Sequence, residues 1–578
     1  PETRSRFVSG AKYVRGASLS PSGARVAVEF RGEIVTVPAE KGDPRYLTRT
    51  PGVHERSPSW SPDGKTIAYL SDEGGEYHLV LAPQTGKGPN RKVKLEGSGF
   101  YSNLVWSRDS KKLLYRDNSM SLYWLDLESG KSKKIVTAKY GLSRGVNPSS
   151  WSPDSKWVAY AEETPARISR AYVYSLEQDK AFPVTDGLSE VTEPVFDASG
   201  KYLYFLNSSD TGMSKHGFSQ SAADSRSPRF GLYMAVLQSG TPSPFLKESD
   251  EEKGESSSRP TPPAVPPGKD AGEAPRKDLS ELPPELQEKL KAMRAKKKEG
   301  GSFKIDFAGL DQRILAIPGV SGNLSNLEAG AANQLFYLSS GSGGEGRGIP
   351  GGSLMRYDVD RRRASTVQPI AMAYELSPDG RKVLYARPGG GSGDESSSPG
   401  RRGGMGRSLE WYIGSALGGG SSDGGLSSGG GRSGGMPSAL AGLAGMGGDK
   451  KVNLDAIEVK IDPTQEWKQI FHEAWRINRD FFYDPTMHGA DWPAIEKKYE
   501  QFLPHLTNGG DLYKVIRWML SELAVGHSYT TPGERLHDRR TVAGGLLGAD
   551  FEIANDRYRF KKIYSGLNFT SELRSPLT

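Results

Sequence analysis

Two periods of apolar residues divide the chain. Through residue 460 or so, short apolar runs alternate with period two; beyond it, apolar positions recur about every 3.6 residues. The alternating part repeats a unit made of an apolar residue, a Ser-Pro-Asp-Gly sequence or a near variant, and a short apolar strand. It reads LSPSGARVAV at Leu19, WSPDGKTIAY at Trp60, WSRDSKKLLY at Trp106, WSPDSKWVAY at Trp151, FDASGKYLYF at Phe196 and LSPDGRKVLY at Leu376. Proline presets φ in such a turn, aspartate tolerates the next position and glycine closes it. The β-branched and aromatic residues that follow suit a buried strand. The first five units begin 41–46 residues apart, with further strands such as SLYWLDLESGKSKKIV (Ser121 to Val136) between them. About four short strands per unit is the spacing of a propeller blade. A degenerate sixth unit, NQLFYLSSG (Asn333 to Gly341) with SLMRYDVDRRRASTV (Ser353 to Val367), brings the blades to seven. The alternative, a sandwich of similar strands, does not explain so regular a period.

Two stretches interrupt the array. Residues 247–302 are rich in Pro, Lys, Glu and Ser, and residues 388–450 are largely Gly and Ser. Neither can bury enough apolar surface to offset its ordering entropy, so both are expected to be disordered inserts. The propeller is thus assigned to residues 1–460. A helical domain over 461–543 follows. Asp462 is the expected N-cap of a first helix, with Pro463 as its first residue and Gln465 completing a capping box. Trp467, Ile470, Phe471, Ala474, Ile477 and Phe481 would share one face. A second helix is expected from Asp491 and a third from Asp511, stopped by Gly526. From Gly544 the pattern alternates like strands again.

Composition narrows the chemistry. The 578 residues carry 76 basic and 69 acidic side chains, a mild excess of +7. No basic run is interleaved with aromatics, so nucleic acid is not an expected partner. The absence of cysteine excludes thiol catalysis and cysteine-ligated metal from this chain. No run of about 18 apolar residues marks a membrane span. Both ends of the chain are expected to be trimmed. No cofactor is expected, and no metal, because His472-Glu473 lacks the second histidine of HExxH, position 476 being Arg. No GxSxG nucleophile elbow is present, and no carboxylate pair recurs at blade positions that would converge on an axis. His527, in ELAVGHSYTT (Glu522 to Thr531), is the best single general-base candidate. It follows a helix end that would favour an imidazolium. On spacing alone, the other reading is a glycine helix stop with a histidine beside it.

The string FFYDPTMHGADW (Phe481 to Trp492), followed by DLYKVIRWMLSELAVGHSY (Asp511 to Tyr529), resembles the first core domain of tricorn protease and its bacterial homologues. These are relatives of the tail-specific serine peptidases. The seven repeats are similar to the family's second, TolB-like propeller, and GGLLGADFEI (Gly544 to Ile553) looks like the opening of its PDZ-like module. The resemblance implies a mainly β chain: a seven-bladed TolB-like β-propeller, a small helical core domain, and over 544–578 the beginning of a PDZ-like module. It also implies a cytoplasmic serine endopeptidase, with a periplasmic site as the alternative, acting on oligopeptides as a homohexamer. His527 falls on the family's general base. The archaeal pattern places a serine directly before that histidine; here Gly526 stands there, and Ser528 or Tyr529 would take the supporting role. By the same resemblance the nucleophilic serine, the oxyanion donor and a supporting glutamate lie in a second core domain beyond this stretch. The chain alone is therefore expected to be inactive. A propeller serving as a peptide- or protein-interaction platform beside a degenerate peptidase core is the competing expectation.

Overall fold

A computed structural model describes residues 2–140, 147–211, 229–246, 303–340, 351–389, 409–417, 448–531, 547–566 and 574–577. The first insert, 247–302, lies outside the described residues. The second does not lie wholly outside them. Leu409–Ser415 is a strand that pairs with Lys382–Pro388 on one side and Lys450–Lys451 on the other. Its alternating apolar residues, Trp411 and Ile413, enter the core.

The described strands form seven four-stranded antiparallel blades. Blades 5 and 6 share one 16-residue strand, Ile314–Ala329. Its first part pairs with Phe230–Val236 and its second part with Gln334–Ser340, so the two blades run into a single sheet. The repeated turn explains the period. In blade 2 the Ser61 hydroxyl donates to Asp63 Oδ1 (2.6 Å) and accepts from Thr66 N (3.0 Å), while Lys65 N donates to Asp63 Oδ1 (3.0 Å). The same Ser–Asp pair closes the turns at Ser107, Ser152 and Ser377. The turn ends in a left-handed residue, glycine at Gly23, Gly64, Gly200 and Gly380 but Ser110, Ser155 and Asn333 in the other blades.

Gly380 is constrained twice. Its φ is +68°, and a Cβ there would come within 2.4 Å of Ala331 N, where blade 6 meets blade 7. At Gly64, by contrast, a Cβ would meet only the Pro21 ring at 3.7 Å. Gly380→Ala is expected to cost about 3 kcal/mol, strain and overpacking together, and Gly64→Ala about 1 kcal/mol. Thermal unfolding followed by circular dichroism separates them, and equal midpoints would rule the account out.

The ring closes without strand exchange. Blade 1 takes all its strands from Val14–Tyr46 and blade 7 takes its own from Ala373–Lys451. The seam is held by Glu375, which accepts from Ser18 Oγ (3.0 Å) and Leu19 N (3.1 Å). The residue at this place in the repeat reaches the next blade elsewhere too: Ser18 Oγ accepts from Trp60 N, Ser150 Oγ from Phe196 N and Glu328 from Leu376 N. A two-stranded sheet, Arg6–Ser9 with Glu458–Ile461, lies over the seam. Its Val8, Val459 and Ile461 join Val26, Val28 and Phe30 of blade 1 and Leu384, Trp411 and Ile413 of blade 7 in one core. Outer blade strands end the sheets with Lys92, Lys133, Lys134, Lys180 and Lys450, which blunt edges otherwise open to pairing.

Three helices follow: α1 (Pro463–Phe481), α2 (Trp492–Glu500) and α3 (Gly509–Ser521). Asp462 caps α1, accepting from Thr464 N, and Gln465 meets that carboxylate rather than the cap's backbone N–H. α3 begins two residues before the expected Asp511, because the Asn508 side chain accepts from Asp511 N (3.1 Å). Trp467 and Phe471 of α1 pack with Trp492, Ile495 and Tyr499 of α2 and Leu512, Val515 and Met519 of α3. Ile470, Ile477 and Phe481 do not share that face and stay 42%, 42% and 53% exposed. α1 is gripped from two sides, by the other helices and by the propeller, and this stripe lies between. Residues Ala549–Ala554 and Arg557–Ile563 form a hairpin. Among the described residues no helix is long and apolar enough to cross a membrane.

Candidate functional site

The helical domain sits on the propeller face opposite the Ser-Pro-Asp-Gly turns. It touches the turns joining second and third strands in blades 1, 2 and 3. There Arg31 forms a two-pronged pair with Glu466 (2.8 and 3.0 Å), Arg479 pairs with Glu76 (2.6 and 2.9 Å), and Asn118 Nδ2 donates to Asp480 O (2.6 Å). At the centre Arg476, 4% exposed, binds Asp72, the Gly75 carbonyl and, at 2.5 Å, Glu473. Asp72 also accepts from His54 N (2.6 Å) and Gln469 Nε2 (3.0 Å). Burial opposes ionisation of Glu473, but His54, Arg476 and the Tyr77 hydroxyl outweigh it and hold the carboxyl down at about 2. Position 476 is therefore an interdomain anchor. His472 turns to Glu496 (2.7 Å) and lines a cleft of about 620 Å³ between α1 and blade 2.

Beneath this contact, Glu55 is 3% exposed. One carboxyl oxygen accepts from Thr50 Oγ1 (2.8 Å) and the other has no hydrogen-bond partner. Burial, then the nearby Glu33 carboxyl, push it up to about 9 from an ordinary 4.5. The folded protein thus keeps a proton that the unfolded chain releases above pH 4.5, so this residue costs stability increasingly from pH 4.5 to about 9. Glu55→Gln removes that cost. It is expected to raise stability by about 1–3 kcal/mol at pH 7 and by little at pH 4.5. Thermal midpoints of both proteins at pH 5 and 8.5 test this, and a pH-independent difference would refute it.

The propeller axis carries a cavity of about 520 Å³ lined by residues of all seven blades, from Ser18 and Ser59 round to Glu375. Two carboxyls do converge on it, against the sequence expectation. Burial and Glu375 push Glu328 up to about 8, and burial pushes Glu375 up to about 7. Both stand immediately before the repeated turn of their blades, and aligning the degenerate sixth unit on strand register would have revealed them. Arg108, standing where Pro62 and Pro378 stand in other blades, donates from Nη1 to Pro378 O (3.1 Å) on blade 7.

His527 lies on an exposed turn that follows α3. Gly526 is not the helix stop. α3 ends at Ser521, and the left-handed residue after it is Ala524 (φ +54°). Glu522 is held there by Lys498 Nζ (2.6 Å) and Tyr499 Oη (2.7 Å). The helix dipole falls off within its last turn, so it does not act on His527. His527 Nδ1 lies 3.3 Å from Tyr529 Oη. The structure therefore brings Tyr529 to His527, and Ser528 stays exposed between them. A Cβ on Gly526 would meet nothing within 4 Å, so the fold leaves room for a serine there. The turn is tied at both ends. Before it His488 Nδ1 meets Leu523 O (2.9 Å), and after it Tyr513 Oη donates to Thr530 O. Sequence reasoning used His488 only as part of a string and did not foresee this contact. Among the described residues no group of His, Asp or Glu could hold a metal ion.

Two family models match the chain: the tricorn protease second beta propeller domain over residues 14–390, and the tricorn protease C1 domain over residues 463–521. His527 lies just beyond the second match. Tricorn protease homolog 1 of Streptomyces coelicolor is 25% identical over 595 residues, covering 99% of this chain and 47% of that protein. The tricorn protease homolog of Saccharolobus solfataricus is 22% identical over 590 residues, covering 99% and 44%. The chain spans about half the length of these relatives. The crystal structure of the tricorn protease superposes with a TM-score of 0.66 at 18% identity, over 100% of this chain and 47% of that one.

Proposed function

Because the chain belongs to the tricorn protease family, we propose that it is the propeller and base-bearing part of a serine peptidase that hydrolyses oligopeptides by acyl transfer. The observation that carries this reading is the placement of His527, exposed on a turn tied at both ends, directly after the C1-type helices. A rigid support with an open imidazole is what a general base needs when its nucleophile arrives from another part of the molecule. A serine from the remainder of the full-length protein attacks the peptide carbonyl, and its hydroxyl proton passes to His527. His527 then gives that proton to the leaving amine, and water releases the acyl group by the same route. Tyr529 is the supporting residue, its hydroxyl near enough to orient the ring. The propeller, residues 1–460, guides peptides; residues 461–543 form the first core domain, and 544–578 open a PDZ-like module. The complete protein works as a homohexamer, and the present chain alone is inactive. Peptide hydrolysis by the full-length protein carrying His527→Ala decides between this reading and a propeller that only binds peptides: unchanged hydrolysis removes the base assignment.

A further inference from the structure

The string Tyr483 to Trp492 joins α1 to α2 and is anchored in the helical core by Met487 and Trp492. Asp484 accepts from Thr486 N and His488 N (2.9 Å each), coiling the chain through three left-handed residues, Met487, His488 and Gly489 (φ +53°, +56° and +79°). Such a run is costly for a branched or bulky residue. It is held here because Met487 is buried in the helical core and Trp492 and Trp475 exchange indole-to-carbonyl hydrogen bonds (3.0 and 3.1 Å). What the coil delivers is the His488 imidazole, with Nδ1 at Leu523 O and Nε2 at Tyr483 Oη. The geometry assigns the tautomer. Only an N–H can face the carbonyl, so Nδ1 carries a proton, and in the neutral ring Nε2 then accepts from the tyrosine hydroxyl. Leu523 follows the C-cap Glu522, and its carbonyl is met by the His488 ring. Leu523 is 1% exposed, and the next residue, Ala524, is itself left-handed. His488 thus grips the point at which the chain leaves α3 and turns towards His527.

We infer that His488, oriented by Tyr483, is a positioning residue for His527: it fixes the departure of the Ala524–Ser528 turn and so the place of the base. This rests on the base reading of His527 for its catalytic meaning, though not for its structural one.

Two substitutions isolate the side-chain bond from the backbone. His488→Gly accepts φ +56° without strain but has no donor, whereas His488→Asn tolerates the left-handed region and offers an amide N–H where Nδ1 was. In the present chain, carbon-13-labelled histidine spectra should show the His527 ring signals shifted or broadened in His488→Gly and returned in His488→Asn. In the full-length protein, kcat for a peptide should fall about tenfold or more in His488→Gly, with KM within about twofold, and recover in His488→Asn. Unmoved His527 signals in His488→Gly overturn the inference, as does a loss that His488→Asn does not reverse. The two readings fail separately. Unmoved signals together with an inactive His527→Ala protein remove only the positioning role, while moved signals with an active His527→Ala protein remove only the base.

Discussion

Replacing His527 by alanine in the full-length protein is expected to lower kcat/KM for peptide hydrolysis by about a thousandfold, the middle of the range for losing a general base. The fall should lie in kcat, because the imidazole acts on the reacting proton rather than on substrate binding. The fold should not register the change. His527 is exposed, its described ring partner is Tyr529 at 3.3 Å, and the turn is tied through Leu523 and Thr530 rather than through the histidine. Thermal midpoints of the two proteins should therefore agree. His505→Ala, an exposed histidine of the same domain outside the proposed site, is the control and should keep full activity. Hydrolysis within about threefold of the parent in His527→Ala would show that the base is elsewhere and would leave the propeller as a binding platform.

Arg476→Ala is expected to cost about 3–5 kcal/mol of stability. The reason is the charge it abandons. Asp72 is 6% exposed, and removing one partner of a buried pair leaves the other uncompensated. Glu473 loses a cation that helps hold its carboxyl down at about 2. The damage should concentrate where α1 meets blade 2. Indole fluorescence reports there directly, since Trp467, Trp475 and Trp492 all belong to the helical core or pack against it. Arg476→Met combined with Asp72→Asn removes both charges and leaves an oxygen for His54 N, so it should recover much of the loss. A midpoint for Arg476→Ala within a degree of the parent, or a double variant no better than the single, would mean that the ion pair does not hold the domains together.

The blades were legible because each repeat is a local device. Ser61, Asp63 and Thr66 close their turn within six residues, and the same spacing recurs wherever the motif does. Even the degenerate sixth unit was found, though not that it shares the strand Ile314–Ala329 with blade 5. Leu409–Ser415 was missed for the opposite reason. Seven alternating residues inside a long glycine-rich tract carry little periodic signal, and only a partner strand, Lys382–Pro388, makes them a strand. The helix starts fell within two residues of those expected, since Asp462, Asp491 and Asn508 cap them through their own side chains. The candidate site was harder to read. His527 stood out by its string, but its surroundings did not follow. Gly526 looked like a helix stop, while the chain in fact leaves α3 at Ser521 because Lys498 and Tyr499 of α2 hold Glu522.

By itself the sequence determined everything that depends on residues near one another along the chain. That covers the period of the blades, the chemistry of their turns, the starts of α1 and α2, and the exclusion of cysteine chemistry. Only the tertiary structure decided what depends on residues far apart. Glu375 closes the ring through Ser18, 357 positions away in sequence. Arg476 fastens the helices to blade 2 across 404 positions. His488 meets the end of α3 across 35. The physical reason is the same in each case. A hydrogen bond inside a turn is fixed by backbone geometry that a few residues specify, whereas a bond between distant segments exists only once packing has desolvated both partners and brought them within about 3 Å.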